Sequence, residues 1–428
     1  MRREEYLHIL TEQIRCKMAR ATIEQEINDH IEDQKAEFLG EGMGQTEAEE
    51  AAIREMGDPV EVGLEMDRIH RPTMAWGMIA LIVGLSLAGY LLRSIMYQTA
   101  GKTEELFWVG TSSSWHTSLE LPALLLGLVL MIGICYMDYT RIAVYAKPIL
   151  IAYQVLLFIG LQVAGAKMYG TTRYIIMPFG NIVLNLIDLL WLTIPLFAAV
   201  LYSYRGQGYR GILKAILWMI IPSYFLIIRC QSLIAAMILE VVYCVVLAAA
   251  VYKGWFQVCK KAVLTGIGVV VVLIPVLLAG GIWCFGMAYQ KERIAAIFSI
   301  GDYAVDFPRV NVIREMISGS SAFHGNPQFK ELLTYVDGRV HLLASVVAAY
   351  GILAGILLVL CLVVLILRFA KISLNQKNQL GMVMGTGCTA LFLIQAIVFI
   401  LENLGGVGEM GIYCPFFGTE RSGILASY

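Results

Sequence analysis

Charge is scarce in this 428-residue sequence: 15% of its residues are Asp, Glu, Lys or Arg, while 58% are apolar. An ordinary soluble domain carries roughly a quarter charged residues, so that class is excluded. Paired cysteine is also missing. The nine cysteines are scattered singly, with no C-x-x-C pair and no metal-ligand spacing. They predict neither a disulfide framework nor a zinc site, and most read as small hydrophobes inside apolar runs. No G-x-x-x-x-G-K-S/T phosphate loop occurs, which excludes a pump driven by its own P-loop. Nothing in the charge pattern points to nucleic acid, and no cofactor or metal is expected.

What is abundant is hydrocarbon. The mean hydropathy is +0.70, and the apolar residues fall into runs of about 20, the length that crosses a ~30 Å hydrocarbon layer as helix. Within lipid each backbone N–H and C=O needs an internal partner, so such runs are helical. Nine spans are predicted: about 74–97, 119–138, 146–166, 181–203, 211–229, 231–252, 262–286, 341–369 and 380–401. Loops on one side carry Arg141, Lys147, Arg205, Arg210, Lys214, Lys253, Lys260, Lys261, Arg368, Lys371 and Lys377. The short loops opposite carry only Lys102, Lys167, Arg173 and Arg229. The cation-rich side is cytoplasmic by the positive-inside rule. Residues 287–340 then form a long extracytoplasmic loop, with the C-terminus also outside. Asp188 and Glu240 lie within spans, where a charge is either paired in the bundle or functional. Pro222 and Pro275 mark kinks.

Residues 1–72 are different. They hold 18 Asp and Glu against 9 Lys and Arg, a net charge of −9, which leaves the remainder of the chain at +8. Four short helices are predicted, over about 2–19, 22–41, 46–56 and 59–68. Ile23, Ile27, Ile31 and Phe38 follow helical spacing in the second. Thr46 and Glu49 have capping-box spacing at the start of the third, and Asp58-Pro59 supplies an N-cap and a first-turn proline for the fourth. Glu24, Glu26, Asp29, Glu32 and Asp33 read as a hydrated face rather than a metal site. The string EQEINDHIEDQ, then G-x-T-E-A-E-E-A and MGDPVEVGLEMDRIHRP, resembles the permease prefix domain, a small cytosolic helical module fused to bacterial membrane proteins.

From residue 169 the order of features resembles the SEDS family (shape, elongation, division and sporulation), the FtsW/RodA/SpoVE group. Tyr169-Gly170-Thr171-Thr172-Arg173-Tyr174 stands where that family has N-G-A-x-R-W. Tyr289-Gln290-x-x-Arg293-Ile294 opens the long loop like its Y-Q-x-x-R-I, and Ser318-Gly319-Ser320-Ser321-Ala322-Phe323-His324-Gly325 resembles its S-G-G-x-x-G-x-G turn. The stretch from Gly411 to Tyr428 is similar to its G-x-x-L-P-F-x-S-x-G-G-S-S-L-L-A-S-F.

The resemblance implies an all-α polytopic bundle that polymerises the lipid-linked disaccharide-pentapeptide precursor of peptidoglycan outside the membrane. A class B penicillin-binding transpeptidase is the implied partner, beside membrane lipids. Arg173, Ser318, Gly319 and Gly325 become expected substrate-binding residues, and Asp337 the expected catalytic base. The departures are as specific as the matches. Aligned on Gly351, Arg339-Val340 occupy the family's T-D, and Ala348 and Ala349 occupy its two glutamates. The fourth span lacks Q-P-S-E and the lysine after it, and Gly408-Glu409-Met410-Gly411 replaces P-x-T-G. The chain stops at Tyr428, where a tenth span would start, and so reads as a fragment or a shortened member. Two alternatives stay open: a catalytically silent scaffold or regulator of wall synthesis signalled through the prefix domain, and a transporter of the lipid-linked precursor.

Overall fold

The computed structural model describes residues 2–14, 17–70, 75–99, 117–136, 143–168, 171–177, 182–287, 291, 308–333, 335–336, 341–376 and 378–407. Asp337, the Y-Q-x-x-R-I segment apart from Lys291, and the C-terminal motif from Gly411 lie outside them. The chain divides into two compact units, Met1–Trp76 and Gly77–Tyr428.

The first unit contains α1 (Arg3–Gln13), α2 (Lys17–Gly40), α3 (Gln45–Glu55) and α4 (Pro59–His70). Tyr6, Leu10 and Ile14 close over Ile23, Ile27, Ile31, Ala52 and Ile53, with Phe38 at the edge of the cluster. The first helix stops earlier than its sequence suggests. Ile14 is extended and fully buried, and Arg20 Nε donates to its carbonyl at 2.6 Å. Gly63 lets α4 approach α1, since a Cβ there would lie 2.7 Å from the Leu10 carbonyl oxygen. Asp58 caps α4 as expected, accepting from the Val60 N–H at 2.8 Å. The Thr46–Glu49 capping box does not form. Gly44 is the N-cap, so Thr46 already lies in the first turn, and Glu49 is engaged by Lys35 of α2.

The second unit is a helix bundle. Its elements are α5 (Trp76–Thr99), α6 (Thr117–Cys135), α7 (Ala146–Ala164), the strands β1 (Gly165–Met168), β2 (Thr171–Met177) and β3 (Ile182–Asn185), α8 (Leu186–Trp191), α9 (Thr193–Tyr202), α10 (Tyr209–Tyr224), α11 (Leu233–Tyr252), α12 (Lys260–Phe285), α13 (Pro308–Ser318), α14 (Phe329–Leu332), α15 (Leu342–Tyr350), α16 (Ile352–Leu374) and α17 (Gln379–Asn403). Among the described residues six helices are long and apolar enough to cross a membrane, and three shorter apolar helices accompany them. This is a multi-pass membrane protein. Most of its core lies between α7, α9, α11 and α17, around Phe197, Leu239, Val246 and Val383. In contrast, α12 has no buried residue.

Three predicted spans are not continuous α-helix. The run 181–203 begins as β3 and breaks at Leu192 into α8 and α9. Pro195 has no N–H for the Trp191 carbonyl, which favours the break. Hydroxyls of Tyr153 and Thr193 take the Leu189 and Leu190 carbonyls. The run 341–369 breaks at Gly351, whose φ of +98° suits glycine alone. The run 211–229 ends in a π-helical turn, Phe225–Arg229. An antiparallel sheet of order β1-β2-β3 is added to the helices, because Thr171, Thr172, Tyr174, Ile175 and Ile176 favour extended backbone.

Candidate functional site

At the sheet end of the bundle, β2 pairs with both neighbours, Tyr174 lying opposite Ala166 on one side and Asn185 on the other. Ile175 and Leu184 face inward, which places Arg173 and Tyr174 in a strand held from both edges. Arg173 Nη2 donates to the Tyr174 hydroxyl at 2.8 Å, with the guanidinium carbon 4.9 Å from that ring's centroid.

A second arginine, Arg229, ends the π turn whose backbone is bonded to β2. Pro222 leaves the Trp218 carbonyl without its helical donor, and after Tyr224 the helix widens into the π turn, closed by Cys230 N–H to Phe225 O at 3.0 Å. The chain then reverses through Gln231, at φ +51°, into α11. The Thr172 hydroxyl donates to the Arg229 carbonyl at 3.5 Å, tying β2 to the end of the π turn. Both arginines have a buried Nε with no hydrogen-bond partner among the described residues. Asp188, 1% exposed, stands in the first turn of α8, which Asn185 caps through the Ile187 N–H at 3.1 Å. Arg173, Arg229 and Asp188 all bear electrostatically on the Cys230 thiol, which burial pushes up to about 12. Arg173 and Arg229 thus both bring positive charge to the end of the π turn.

The other predicted binding residues lie together in a second place. Ser318 ends α13 and is exposed, and Gly319 follows it. A Cβ on Gly319 would lie 2.3 Å from Asn326 Nδ2, and one on Gly325 2.3 Å from the Ala348 carbonyl oxygen. This turn plugs the break at Gly351. The Ile352 and Leu353 N–H groups donate to Ser321 O at 3.0 Å and Ala322 O at 3.1 Å, and Asn326 N–H donates to Ala348 O at 2.8 Å. The first amides of α16, ordinarily free at a helix start, are therefore occupied by the turn. Phe323 and His324 project outward from it. Among the described residues no hydrogen bond or ion pair links Arg173 to this turn.

The described part of the long loop is packed onto the bundle. Ile313, Met316, Phe329, Leu332 and Val336 bury against Ala344 and Ala348. Arg314 donates twice to the Gly405 carbonyl, at 3.1 and 2.9 Å, and Asn403 Oδ1 accepts from the Ala344 N–H at 3.2 Å. Of the two carboxylates within spans, Glu240 accepts a hydrogen bond from the Ser223 hydroxyl across α10 and α11. No group of three His, Cys, Asp or Glu side chains arranged to hold a metal ion occurs among the described residues. Arg229 was visible in the sequence only as an outer-loop cation. Its one signal was Pro222 seven residues earlier, where a helix interior changes register.

No protein-family model matches the sequence, and no curated protein does either. The fold has solved counterparts. One is a chain from a structure described as the structural coordination of polymerization and crosslinking by a peptidoglycan synthase complex. It has a TM-score of 0.63 and 18% identity, covering 82% of this chain and 94% of that one. The rod shape determining protein RodA of Thermus thermophilus has a TM-score of 0.53 and 15% identity over 83% of this chain and 94% of its own. A single-substitution variant of that RodA gives 0.52 and 16%, over 82% and 94%. The chain thus has the fold of the SEDS proteins that its motifs resemble.

Proposed function

We propose that this SEDS-fold protein acts in peptidoglycan synthesis, polymerising the lipid-linked disaccharide-pentapeptide precursor at the outer face of the membrane. The observation that carries the reading is the pair Arg173 and Arg229, each with a buried Nε that has no hydrogen-bond partner among the described residues. A lipid-linked sugar leaves from a pyrophosphate, whose oxygens accept from guanidinium forks. In the transfer, the acceptor hydroxyl oxygen bonds to the donor's anomeric carbon while the bond from that carbon to the pyrophosphate breaks. A carboxylate takes the hydroxyl proton, and the lipid pyrophosphate departs with the bonding pair, its charge met by the two arginines. Asp337 is the proposed base, and the turn bearing Ser318, Gly319 and Gly325 the proposed wall of the substrate site. A class B penicillin-binding transpeptidase is the proposed partner, a reading supported by the complex whose chain shares this fold.

In this reading residues 1–72 are a cytosolic permease prefix domain. The sheet end and residues 287–340 face outward. The scaffold reading has one specific observation in its favour: Ala348 and Ala349 stand where the family has glutamates, and the Ala348 carbonyl is used to seat the Gly325 turn. The deciding experiment supplies purified, reconstituted full-length protein with lipid-linked precursor, with and without a class B transpeptidase. Glycan strands that disappear in Asp337→Asn support the enzyme. No strands in either condition supports the scaffold.

A further inference from the structure

The end of the bundle opposite the sheet carries a second cationic arrangement. Its loops are joined by Gly206 N–H to Trp255 O at 2.8 Å, Gln257 N–H to Gln207 O at 3.0 Å, and Trp255 Nε1 to Gln379 Oε1 at 2.9 Å. Tyr202 packs edge-on against Trp255, with centroids 5.2 Å apart, and the Arg205 guanidinium lies 4.8 Å from the Tyr202 centroid. Beside them Tyr204 is buried, its hydroxyl accepting from Trp218 Nε1 at 2.9 Å. Two ammonium groups from different helices converge on that one ring. Lys147 Nζ from α7 is 4.3 Å from its centroid, and Lys214 Nζ from α10 is 5.5 Å from it.

These cations lie at most about 10 Å apart, within one screening length at ~0.1 M salt, so they repel one another. No carboxylate among the described residues pairs with Lys147, Arg205 or Lys214. Among the described residues Lys214 donates to Gln207 Oε1, at 3.3 Å. The sequence explains why: the segments 136–148, 203–214, 252–261 and 368–378 hold eleven Lys and Arg but a single carboxylate, Asp138. Among the described residues no carboxylate neutralises the pair, yet tyrosine and tryptophan hold it in place at the depth where a helix end meets lipid headgroups. We infer that Lys147 and Lys214, gathered on Tyr204, form a binding site for the phosphodiester headgroup of an anionic phospholipid. A phosphate oxygen between the ammoniums relieves their repulsion, and the acyl chains lie along the exposed faces of α7 and α10, past Ile151, Leu213 and Leu217. The basic side chains select charge, while the aromatic ring fixes the position.

The test uses full-length protein in nanodiscs of phosphatidylcholine doped with phosphatidylglycerol, with retained lipid counted by native mass spectrometry after detergent release. The parent should retain phosphatidylglycerol over phosphatidylcholine. Lys147→Gln/Lys214→Gln should lose that preference by on the order of 5-fold for each charge removed, with an unchanged elution profile. Lys253→Gln/Lys261→Gln removes the same charge from the same end and should keep most of the preference. Equal retention of the two lipids by the parent, or equal losses in both double variants, would overturn the inference in favour of a diffuse basic surface. Complete displacement of phosphatidylglycerol by millimolar inorganic phosphate would overturn the lipid as its source.

Discussion

The Ala322 carbonyl oxygen lies 2.9 Å from the point where a Cβ of Gly351 would sit. The same carbonyl accepts the Leu353 N–H. One contact therefore both closes the glycine-rich turn and starts α16, so a turn that resembles a ligand loop in sequence also holds a broken membrane helix together.

Gly351→Ala meets this contact and a φ of +98° together. It should cost at least the ~1–2 kcal/mol of a left-handed non-glycine residue, seen as a lower midpoint of thermal unfolding in detergent. Gly268→Ala, with nothing within 4 Å of its added Cβ, should leave the midpoint unchanged. Equal midpoints for the two variants would remove the argument that the turn seats the helix break.

Residues 1–76, expressed alone, should be soluble and helical by circular dichroism, given their own buried core. Asp58→Ala should destabilise this fragment by ~1 kcal/mol through loss of the N-cap. Thr46→Ala should change its stability little, since α3 is capped at Gly44 rather than by the Thr hydroxyl. A large loss in Thr46→Ala would restore the capping box.

The fragment should also weaken in acid. A hydrogen bond from Lys35 lowers the Glu49 carboxyl below its ordinary value. A group depressed in the folded state stabilises above its unfolded value, near ~4.3, and that contribution disappears as pH falls through the lower folded value. In urea melts between pH 6 and pH 2, Glu49→Gln should show a shallower decline than the parent. Parallel declines would show that the pair contributes nothing.

A reporter active only outside the cytoplasm should be silent when fused at about residue 207 and active at about residue 310. The first position lies in the loop bonded to Trp255, while the second packs at the opposite end of the bundle, near Gly405. Activity at 207 would invert the orientation on which the proposed outward-facing arginine site depends.

How far the sequence could be read depended on what kind of force shaped each element. Apolar runs mark the long helices because burial in hydrocarbon depends on composition summed over about 20 residues. Asp58-Pro59 was legible because a cap is a local bond. The breaks at Leu192 and Gly351 were not, since each is stabilised by partners distant in sequence: the Tyr153 hydroxyl at one, the Ser321 and Ala322 carbonyls at the other. Likewise Arg173 was marked by its motif, while Arg229 becomes its neighbour only through the π turn and the Thr172 bond. Thr46 misled because the capping-box spacing is present, but Lys35 of another helix engages Glu49.

The most direct test of the account is equilibrium binding of lipid-linked pyrophosphate to the reconstituted full-length protein and to Arg173→Lys and Arg229→Lys. Lysine keeps the charge but lacks the planar fork with its Nε donor. Each variant should therefore bind on the order of 10-fold more weakly, as expected for loss of a charged hydrogen bond in a partly buried site, and the parent should prefer pyrophosphate to monophosphate. Equal binding by the parent and both variants would contradict the arginine pair as the pyrophosphate site, and with it the proposed glycan polymerisation at this end of the bundle.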